Sequence, residues 1–362
     1  MKPPLLYAPQ MERPEPEEDE TIAGLEGALH EIMATTARDE GHALRSVHAK
    51  AHGFVTARLT VLPGLAPELA QGLFATPGDH PALLRLSTNP GDILDDSVTL
   101  PRGASLKVMD VKGDRLDGSE GDSTQDFLMV NAPAFGARTA RQFLGNLQLL
   151  AKTTDRAEWA KKALSAVLRT AEKALEAVGT ESATLKTLGG APSVHPLGET
   201  YYTQTAFRHG DHVAKYALVP VSESLTRHAG EEIPVAGRPD AIRETVDRDT
   251  RAAPMEWELR VQLCRDPETM PIEDATVRWD EDESPFLPVA RLRAEPQPSW
   301  SPARNAEVDD RLRFSPWTGL AAHQPLGAIN RVRKRTYEAS ARFRAEVNGC
   351  PIHEPTSAEL SP

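Results

Sequence analysis

The side chains with the clearest chemical potential lie near the C-terminus, in the stretch Arg333–Tyr337, which contains three basic residues and ends at a tyrosine. On a helix, Arg333 and Tyr337 are neighbours four residues apart, and Arg344 returns close to the same face two turns later. A guanidinium beside a phenol favours the phenolate through charge proximity and hydrogen bonding. A phenolate is a hard anionic ligand that suits ferric iron. The spacing therefore predicts an iron ligand at Tyr337 that Arg333 tunes.

Two other segments carry complementary chemistry. Residues Arg45–Lys50 read Arg-Ser-Val-His-Ala-Lys, and Arg85–Thr88 read Arg-Leu-Ser-Thr. We expect the first segment to be extended, with Ser46, His48 and Lys50 on one face, because side chains alternate along a strand. Imidazole suits general acid–base chemistry near neutral pH, and guanidinium groups bind carboxylates in a bidentate manner. Together with the C-terminal helix, these segments predict a site for a flat, negatively charged iron cofactor.

In this order, the three segments resemble the haem catalase superfamily. Arg45–Lys50 is similar to the family's Arg-x-Val-His-Ala-Lys stretch, and Arg85–Thr88 is similar to its Arg-Phe-Ser-Thr segment. Tyr337, with an arginine four residues before it and another seven residues after it, matches the proximal motif. Pro101–Val108, which reads Pro-Arg-Gly-Ala-Ser-Leu-Lys-Val, is similar to the family's Pro-Arg-Gly-Phe-Ala-Val-Lys-Phe strand.

The resemblance is strongest in residues 44–133 and 311–345, and it implies haem b as the cofactor. It also implies that His48 is the distal acid–base group, that Ser87 hydrogen-bonds to it, and that Tyr337 is the axial iron ligand. The cofactor-binding residues implied in this way are Arg45, Val47, Arg85, Arg333, Tyr337 and Arg344.

One part of the family's pattern is altered. The family's Asn-Thr-Pro-x-Phe-Phe stretch supplies an asparagine that assists the distal histidine, whereas residues 123–128 read Ser-Thr-Gln-Asp-Phe-Leu. The asparagine position then falls on Thr124 or, one register step away, on Gln125. Loss of one preorganised donor typically costs about 100- to 1000-fold in rate. This argues against very fast dismutation, and Leu128 and Met129, at places that are often aromatic, favour organic hydroperoxides.

The sequence therefore predicts a haem-dependent, catalase-like peroxidase of the compact catalase-related branch, which acts on hydrogen peroxide or organic hydroperoxides. Two alternatives remain open. One is a fatty-acid hydroperoxide isomerase or lyase, similar to an allene oxide synthase, and the other is a haem-binding barrel without significant turnover. The partners would be a small-molecule hydroperoxide and, by analogy with larger catalases, further copies of the same chain in a homo-oligomer.

Hydrophobic periodicity predicts the elements that position these residues. Apolar spacings of three and four predict helices over residues 21–40, 137–152, 156–178 and 328–347, with a short helix at 67–75. Alternation predicts strands within 42–62 and at 82–88, 104–110, 126–131, 200–207, 213–221, 255–263 and 289–294.

Two blocks of strands around a helical insertion indicate an α+β protein. The expected architecture is a catalase-like antiparallel β-barrel with helical insertions and a C-terminal haem-ligand helix. We expect an extended N-terminal segment over residues 1–20, a single haem domain over 21–347, and a flexible tail over 348–362.

The composition argues against several other classes of protein. The 362 residues include 41 basic and 53 acidic side chains, for a formal net charge of −12, which does not favour binding to nucleic acid or to an anionic membrane. Two cysteines cannot form a disulfide framework. No stretch has the length of a membrane span or the pattern of a signal peptide, so we expect a cytoplasmic protein. His209 and His212 are interpreted as solvated imidazoles at a β-turn rather than as metal ligands.

Overall fold

A computed structural model describes residues 2–154 and 193–361, and within them nine strands form one antiparallel sheet. The strands are β1 Ala51–Val61, β2 Gly78–Thr88, β3 Arg102–Val108, β4 Gln125–Val130, β5 Tyr201–Tyr202, β6 Phe207–His209, β7 His212–Pro220, β8 Met255–Leu263 and β9 Leu287–Ala294. The strand order is β5-β4-β3-β2-β1-β9-β8-β7-β6. A further pairing between β5 and β7 closes eight of these strands into a barrel.

The alternation of side chains along the strands gives the barrel wall two different faces. On β4, Phe127 and Met129 join the core that fills the barrel, whereas Leu128 joins a separate apolar cluster outside it. Large side chains such as Trp257 and Tyr216 fill the interior. The barrel is therefore a packed core, and the outer face of its wall is available to form a site.

Six α-helices accompany the barrel in the described part of the chain. They are α1 Glu18–Glu40, α2 Ala140–Thr154, α3 Glu223–Thr226, α4 Ala241–Ala252, α5 Pro302–Asn305 and α6 Ala328–Asn348. α1, α2 and α6 pack together through an apolar cluster that includes Leu25, Leu147 and Val332. α5 continues into a π-helical turn, Ala306–Asp310. None of the described helices is long and apolar enough to span a membrane.

The predicted α+β class and antiparallel barrel are confirmed. The predicted strand over 200–207 is divided into β5 and β6, and the predicted helix at 67–75 is a turn that ends in a single 3-10 turn, Gly72–Phe74. The charged helix α4 was not predicted. The predicted helix over 156–178 lies outside the described residues, and the domain boundaries remain predictions.

The expected extended conformation of Arg45–Lys50 is wrong. β1 begins only at Ala51, and the preceding chain bends at residues 46–48. The alternation of charged and apolar residues along this segment is typical of a strand. However, the backbone amide groups of His48 and Ala49 donate to the carbonyl oxygens of Asn89 and Pro90, outside the β1–β2 ladder. Residues 45–50 therefore form a loop that leads into the barrel.

A chain of hydrogen-bonded rings lies inside the barrel. The amide of Leu73 donates to Nε2 of His323 (2.9 Å), so Nδ1 of this ring carries the proton and donates to the Tyr216 hydroxyl (2.9 Å). That hydroxyl lies 3.1 Å from Nδ1 of His209, whose Nε2 lies 3.0 Å from the Leu69 carbonyl oxygen. Burial lowers the pKa of His209 to about 4 and that of His323 to about 3. The interpretation of His209 as a solvated turn residue is therefore wrong.

Tyr216→Phe tests how much this chain contributes to stability. The substitution leaves a buried acceptor on His209 and a buried N–H on His323 without partners, and each such group costs about 1–3 kcal/mol. We expect the free energy of unfolding in urea to fall by at least that amount. Tyr202→Phe is the control, because the half-buried Tyr202 hydroxyl makes no hydrogen bond within the described residues, and it should change stability by no more than about 0.5 kcal/mol. Equal losses of stability in the two variants would contradict the stabilising role of the Tyr216 hydroxyl.

Candidate functional site

The outer face of β2, β3 and β4 forms the floor of the candidate site. Side chains two residues apart on each strand point to this face, and the register aligns them into three rows. The rows are Ser87–Gly103–Val130, Arg85–Ser105–Leu128 and Leu83–Lys107–Asp126. The floor therefore carries a guanidinium group and a lysine–aspartate pair beside serine hydroxyls and apolar side chains.

His48 lies at one end of the floor, on a strained backbone. Its φ of 56° is in the left-handed region, which costs a residue other than glycine roughly 1 kcal/mol or more. Its amide donates to the Asn89 carbonyl oxygen at 2.6 Å. Two residues later, the Lys50 ammonium donates to the carbonyl oxygens of Leu94 and Pro239. The surrounding loops therefore hold His48 in a conformation that its own preferences do not favour.

The His48 ring depends on the absence of a side chain at Gly103. Nδ1 of His48 lies 3.2 Å from Oγ of Ser87. A Cβ atom on Gly103 would lie 2.5 Å from this Nδ1 and 2.9 Å from the serine Oγ. Burial, together with the charges of Arg85 and Arg333, lowers the pKa of His48 to about 3. The imidazole is therefore neutral at physiological pH.

Tyr337 reaches the same region from α6. Nη2 of Arg333 donates to its hydroxyl oxygen at 3.1 Å, and the guanidinium lies 5.2 Å from the ring centroid. The half-buried ring packs against an apolar group that we call the outer cluster. Its members are Ala51, Phe54, Leu83, Met109, Leu128, Val308, Leu312 and Phe314. The contact between Arg333 and Tyr337 is the one that their spacing predicts.

Three predicted site arginines converge on Asp309, in the π-helical turn. Nε of Arg45 donates to Oδ1 of Asp309 at 3.0 Å, and Nε of Arg85 donates to the same oxygen at 2.7 Å. Arg344 donates to the Asp309 backbone carbonyl oxygen. Desolvation and the neighbouring Arg45 lower the pKa of Arg344 well below its usual range, and its Nε has no hydrogen-bond partner.

Sequence reasoning missed Asp309, although a concentration of arginines at one site implies a buried counterion. Two guanidinium groups share this one carboxylate, a third binds the backbone carbonyl oxygen of the same residue, and the neighbouring Asp310 is held by His42 at 2.8 Å. The cluster therefore retains excess positive charge and an unsatisfied donor on Arg344. Both features fit the carboxylates of a dianionic cofactor, and Tyr337 offers an oxygen ligand beside them. The residues present thus fit haem.

Three predicted site residues lie apart from this group. Thr124 donates to a carboxylate of the C-terminal segment, and Gln125 accepts a hydrogen bond from the Leu320 amide at 2.8 Å. The β4 residue in the row of Ser87 is Val130, about 17 Å along the strand from Gln125. Val47 packs against the cluster formed by α1, α2 and α6.

The last residues of the chain also reach the floor, and we call residues 350–361 the C-terminal strap. The Glu354 carboxylate contacts Nζ of Lys107 at 2.5 Å and Nε of Arg313 at 3.0 Å, and it accepts a hydrogen bond from Thr124 at 2.8 Å. Ala358 and Leu360 pack against the outer cluster, as does Tyr337. The strap therefore forms one border of the candidate site.

A second group of histidines lies elsewhere, between α3 and α4. Nε2 of His195 lies 2.8 Å from the Asp249 carboxylate, and the ring stacks on His228 with centroids 4.0 Å apart and planes at 19°. Leu197 donates to Nδ1 of the first ring, and Arg227 donates to Nε2 of the second. Nearly parallel rings cannot direct two lone pairs at one ion. The group is therefore an ion-pair network.

Asp126 gives a pH-dependent test of the floor. Burial and the nearby Glu354 raise its pKa to about 7, despite the ion pair with Lys107 at 2.7 Å. Between about pH 4 and pH 7 the folded protein holds a proton that the unfolded chain has lost, so Asp126 makes stability fall as the pH rises, by at most about 1.4 kcal/mol per pH unit. We expect Asp126→Asn to gain stability relative to wild type across this range in urea unfolding. A difference in stability between the variant and wild type that is independent of pH would contradict the raised pKa of Asp126.

Comparison with known proteins bears on the fold. No protein-family model matches the sequence, and no curated protein matches it. Among solved structures, the chain is similar to a fungal catalase, with a TM-score of 0.58 and 18% identity over 86% of this chain and 60% of that one. Catalase A from Saccharomyces cerevisiae gives a TM-score of 0.57 and 14% identity, over 86% of this chain and 62% of that one.

A bacterial catalase gives a TM-score of 0.56 and 16% identity, over 86% of this chain and 59% of that one. The chain thus spans about 60% of the length of the catalases that it matches. At these identities the similarity bears on the fold alone. The chain therefore has a catalase-like fold.

Proposed function

We propose that this chain binds haem b between the floor and α6 and processes hydroperoxides, as a catalase-like peroxidase. The observation that carries the proposal is the contact between Arg333 and Tyr337, in a region where three arginines converge on the single acidic residue Asp309. Tyr337 would hold the iron, and Arg45, Arg85 and Arg344 would bind the propionates. When bound, haem supplies a ferric centre at which a peroxide O–O bond can be cleaved.

His48 would carry the proton transfers. Its imidazole is neutral because burial lowers its pKa to about 3, so it can accept a proton. Nδ1 is engaged with Ser87, which leaves Nε2 as the atom that takes the proton from one peroxide oxygen and returns it to the departing one. The strained backbone and the fitted Gly103 fix this ring before a substrate arrives.

The surroundings of His48 favour a peroxidase over a fast catalase. Val130 is the β4 residue in the row of Ser87, which contacts His48. Its isopropyl group cannot donate a hydrogen bond to a peroxide. The activity would then depend on the imidazole without the second donor that an amide provides. A cytoplasmic location and a homo-oligomeric assembly remain predictions.

Tyr337→Phe tests the iron ligand. Purified wild-type protein supplied with haem should give a Soret band, and the variant should lose haem on gel filtration, because a phenyl ring offers no ligand oxygen. Tyr216→Phe, measured well below its unfolding temperature, should retain haem, since Tyr216 lies inside the barrel. A wild-type spectrum and wild-type turnover in Tyr337→Phe would overturn the ligand assignment.

Gly103→Ala tests the role of His48. The added methyl group displaces the imidazole, so we expect turnover of hydrogen peroxide to fall by about tenfold or more while the Soret band is retained. Gly121→Ala is the matched control, because a Cβ atom there meets nothing within 4 Å. Unchanged turnover in Gly103→Ala would remove His48 from the reaction.

The substrate profile separates the proposed activity from its alternatives. Oxygen evolution from hydrogen peroxide measures dismutation, and oxidation of an added phenolic donor measures peroxidase activity. Consumption of a fatty-acid hydroperoxide without any donor would instead indicate an isomerase or lyase. A Soret band without turnover of any of these substrates would indicate a haem-binding barrel.

A further inference from the structure

The C-terminal strap borders the candidate site. Ala358 and Leu360 pack against the outer cluster, which also contacts the Tyr337 ring. At its far end, the Ser361 amide donates to the Glu307 carboxylate at 2.9 Å, and Nε of Arg304 donates to the Ser361 carbonyl oxygen at 2.7 Å. The strap thus contacts α5 and the turn that follows it, and its apolar residues cover part of the outer cluster.

Glu354 is the main polar contact between the strap and the floor. Its side chain is 11% exposed, and the Lys107 side chain that it contacts is fully buried. Arg313 and Thr124 bind the same carboxylate. Hydrogen bonds to charged groups are stronger than those between neutral groups, so this single residue supplies much of the strap's attachment.

Release of Glu354 would leave no buried charge unpaired. Lys107 retains Asp126 at 2.7 Å, and Arg313 retains Asp122 at 2.7 Å. A buried charge that loses its only partner costs several kcal/mol, but both cations here have a second one. With the strap in place, the two cations face three carboxylates, so the strap can leave at small electrostatic cost.

The strap is otherwise held by few backbone interactions. It contains no helix and no strand of the sheet, and among the described residues its backbone pairs with other backbone groups only at the bridge between Leu312 and His353. Two of its residues, Pro351 and Pro355, are prolines, which cannot donate backbone hydrogen bonds. Elements with few backbone hydrogen bonds and few buried side chains open at low free energy.

We propose that the C-terminal strap is a displaceable wall of the site, latched by Glu354, which limits the size of the hydroperoxide that reaches Tyr337 and His48. Small hydroperoxides would enter with the strap closed. An apolar organic hydroperoxide would displace Ala358 and Leu360, and its hydrocarbon part would take their place on the outer cluster. This selection rests on the proposed function, whereas the latch itself does not.

Glu354→Gln tests the latch, because it removes the charge and keeps the shape of the side chain. We expect faster hydrogen–deuterium exchange in residues 350–361, with or without haem. We also expect the ratio of kcat/KM for cumene hydroperoxide to that for hydrogen peroxide to rise about tenfold, which corresponds to the loss of about 1.4 kcal/mol of attachment. Leu360→Ser should raise the same ratio by weakening the apolar contact alone.

Glu359→Gln is the matched control, because this exposed carboxylate lies in the same segment and contacts none of the floor residues. It should leave both exchange and the ratio unchanged. Unaltered exchange in Glu354→Gln would overturn the latch, and faster exchange with an unaltered ratio would overturn the selection. A wild-type protein without a Soret band would overturn the proposed function and the selection with it, and exchange in the haem-free protein would still decide the latch.

Discussion

Three guanidinium groups converge on Asp309, two on its carboxylate and one on its backbone carbonyl oxygen, and much of the site follows from this imbalance of charge. Arg45 comes from the loop before β1, Arg85 from β2 and Arg344 from α6, so Asp309 joins segments that are distant in sequence. Like charges repel strongly where water is scarce, and one carboxylate neutralises only part of the cluster. Backbone carbonyl oxygens complete the cation coordination, because both Arg45 and Arg344 donate to Leu312. The turn after α5 is irregular where it supplies these acceptors.

The same cationic surroundings affect the imidazole. Burial is the largest cause of the lowered pKa of His48, and the nearby arginines act in the same direction. A histidine among arginines can therefore accept a proton at any pH in the physiological range. The ring is also fixed mechanically, by a backbone in the left-handed region and by the missing side chain of Gly103. Charge and geometry thus favour the same state, which is a neutral and immobile base.

Local patterns predicted those parts of the site in which a helix or a strand sets the geometry. The contact between Arg333 and Tyr337 needs only an α-helix, and the strands around Arg85 need only alternation. The conformation of His48 was not predictable, because it depends on loops that are distant in sequence. The register of the strands could not be predicted from the sequence either. This register places Val130 rather than Thr124 in the row of Ser87.

Asp309 and Glu354 were missed for a related reason. In the sequence each is one acidic residue among many, and only the fold brings cations close to it. Both carboxylates belong to the irregular chain that covers the floor rather than to the barrel. The floor is fixed by strand ladders, whose backbone hydrogen bonds do not depend on side chains. The irregular chain that covers the floor depends instead on ion pairs between side chains, which can be exchanged without unfolding the barrel. The reactive groups therefore rest on the rigid part of the molecule, and changes in substrate size are best accommodated by the part that covers them.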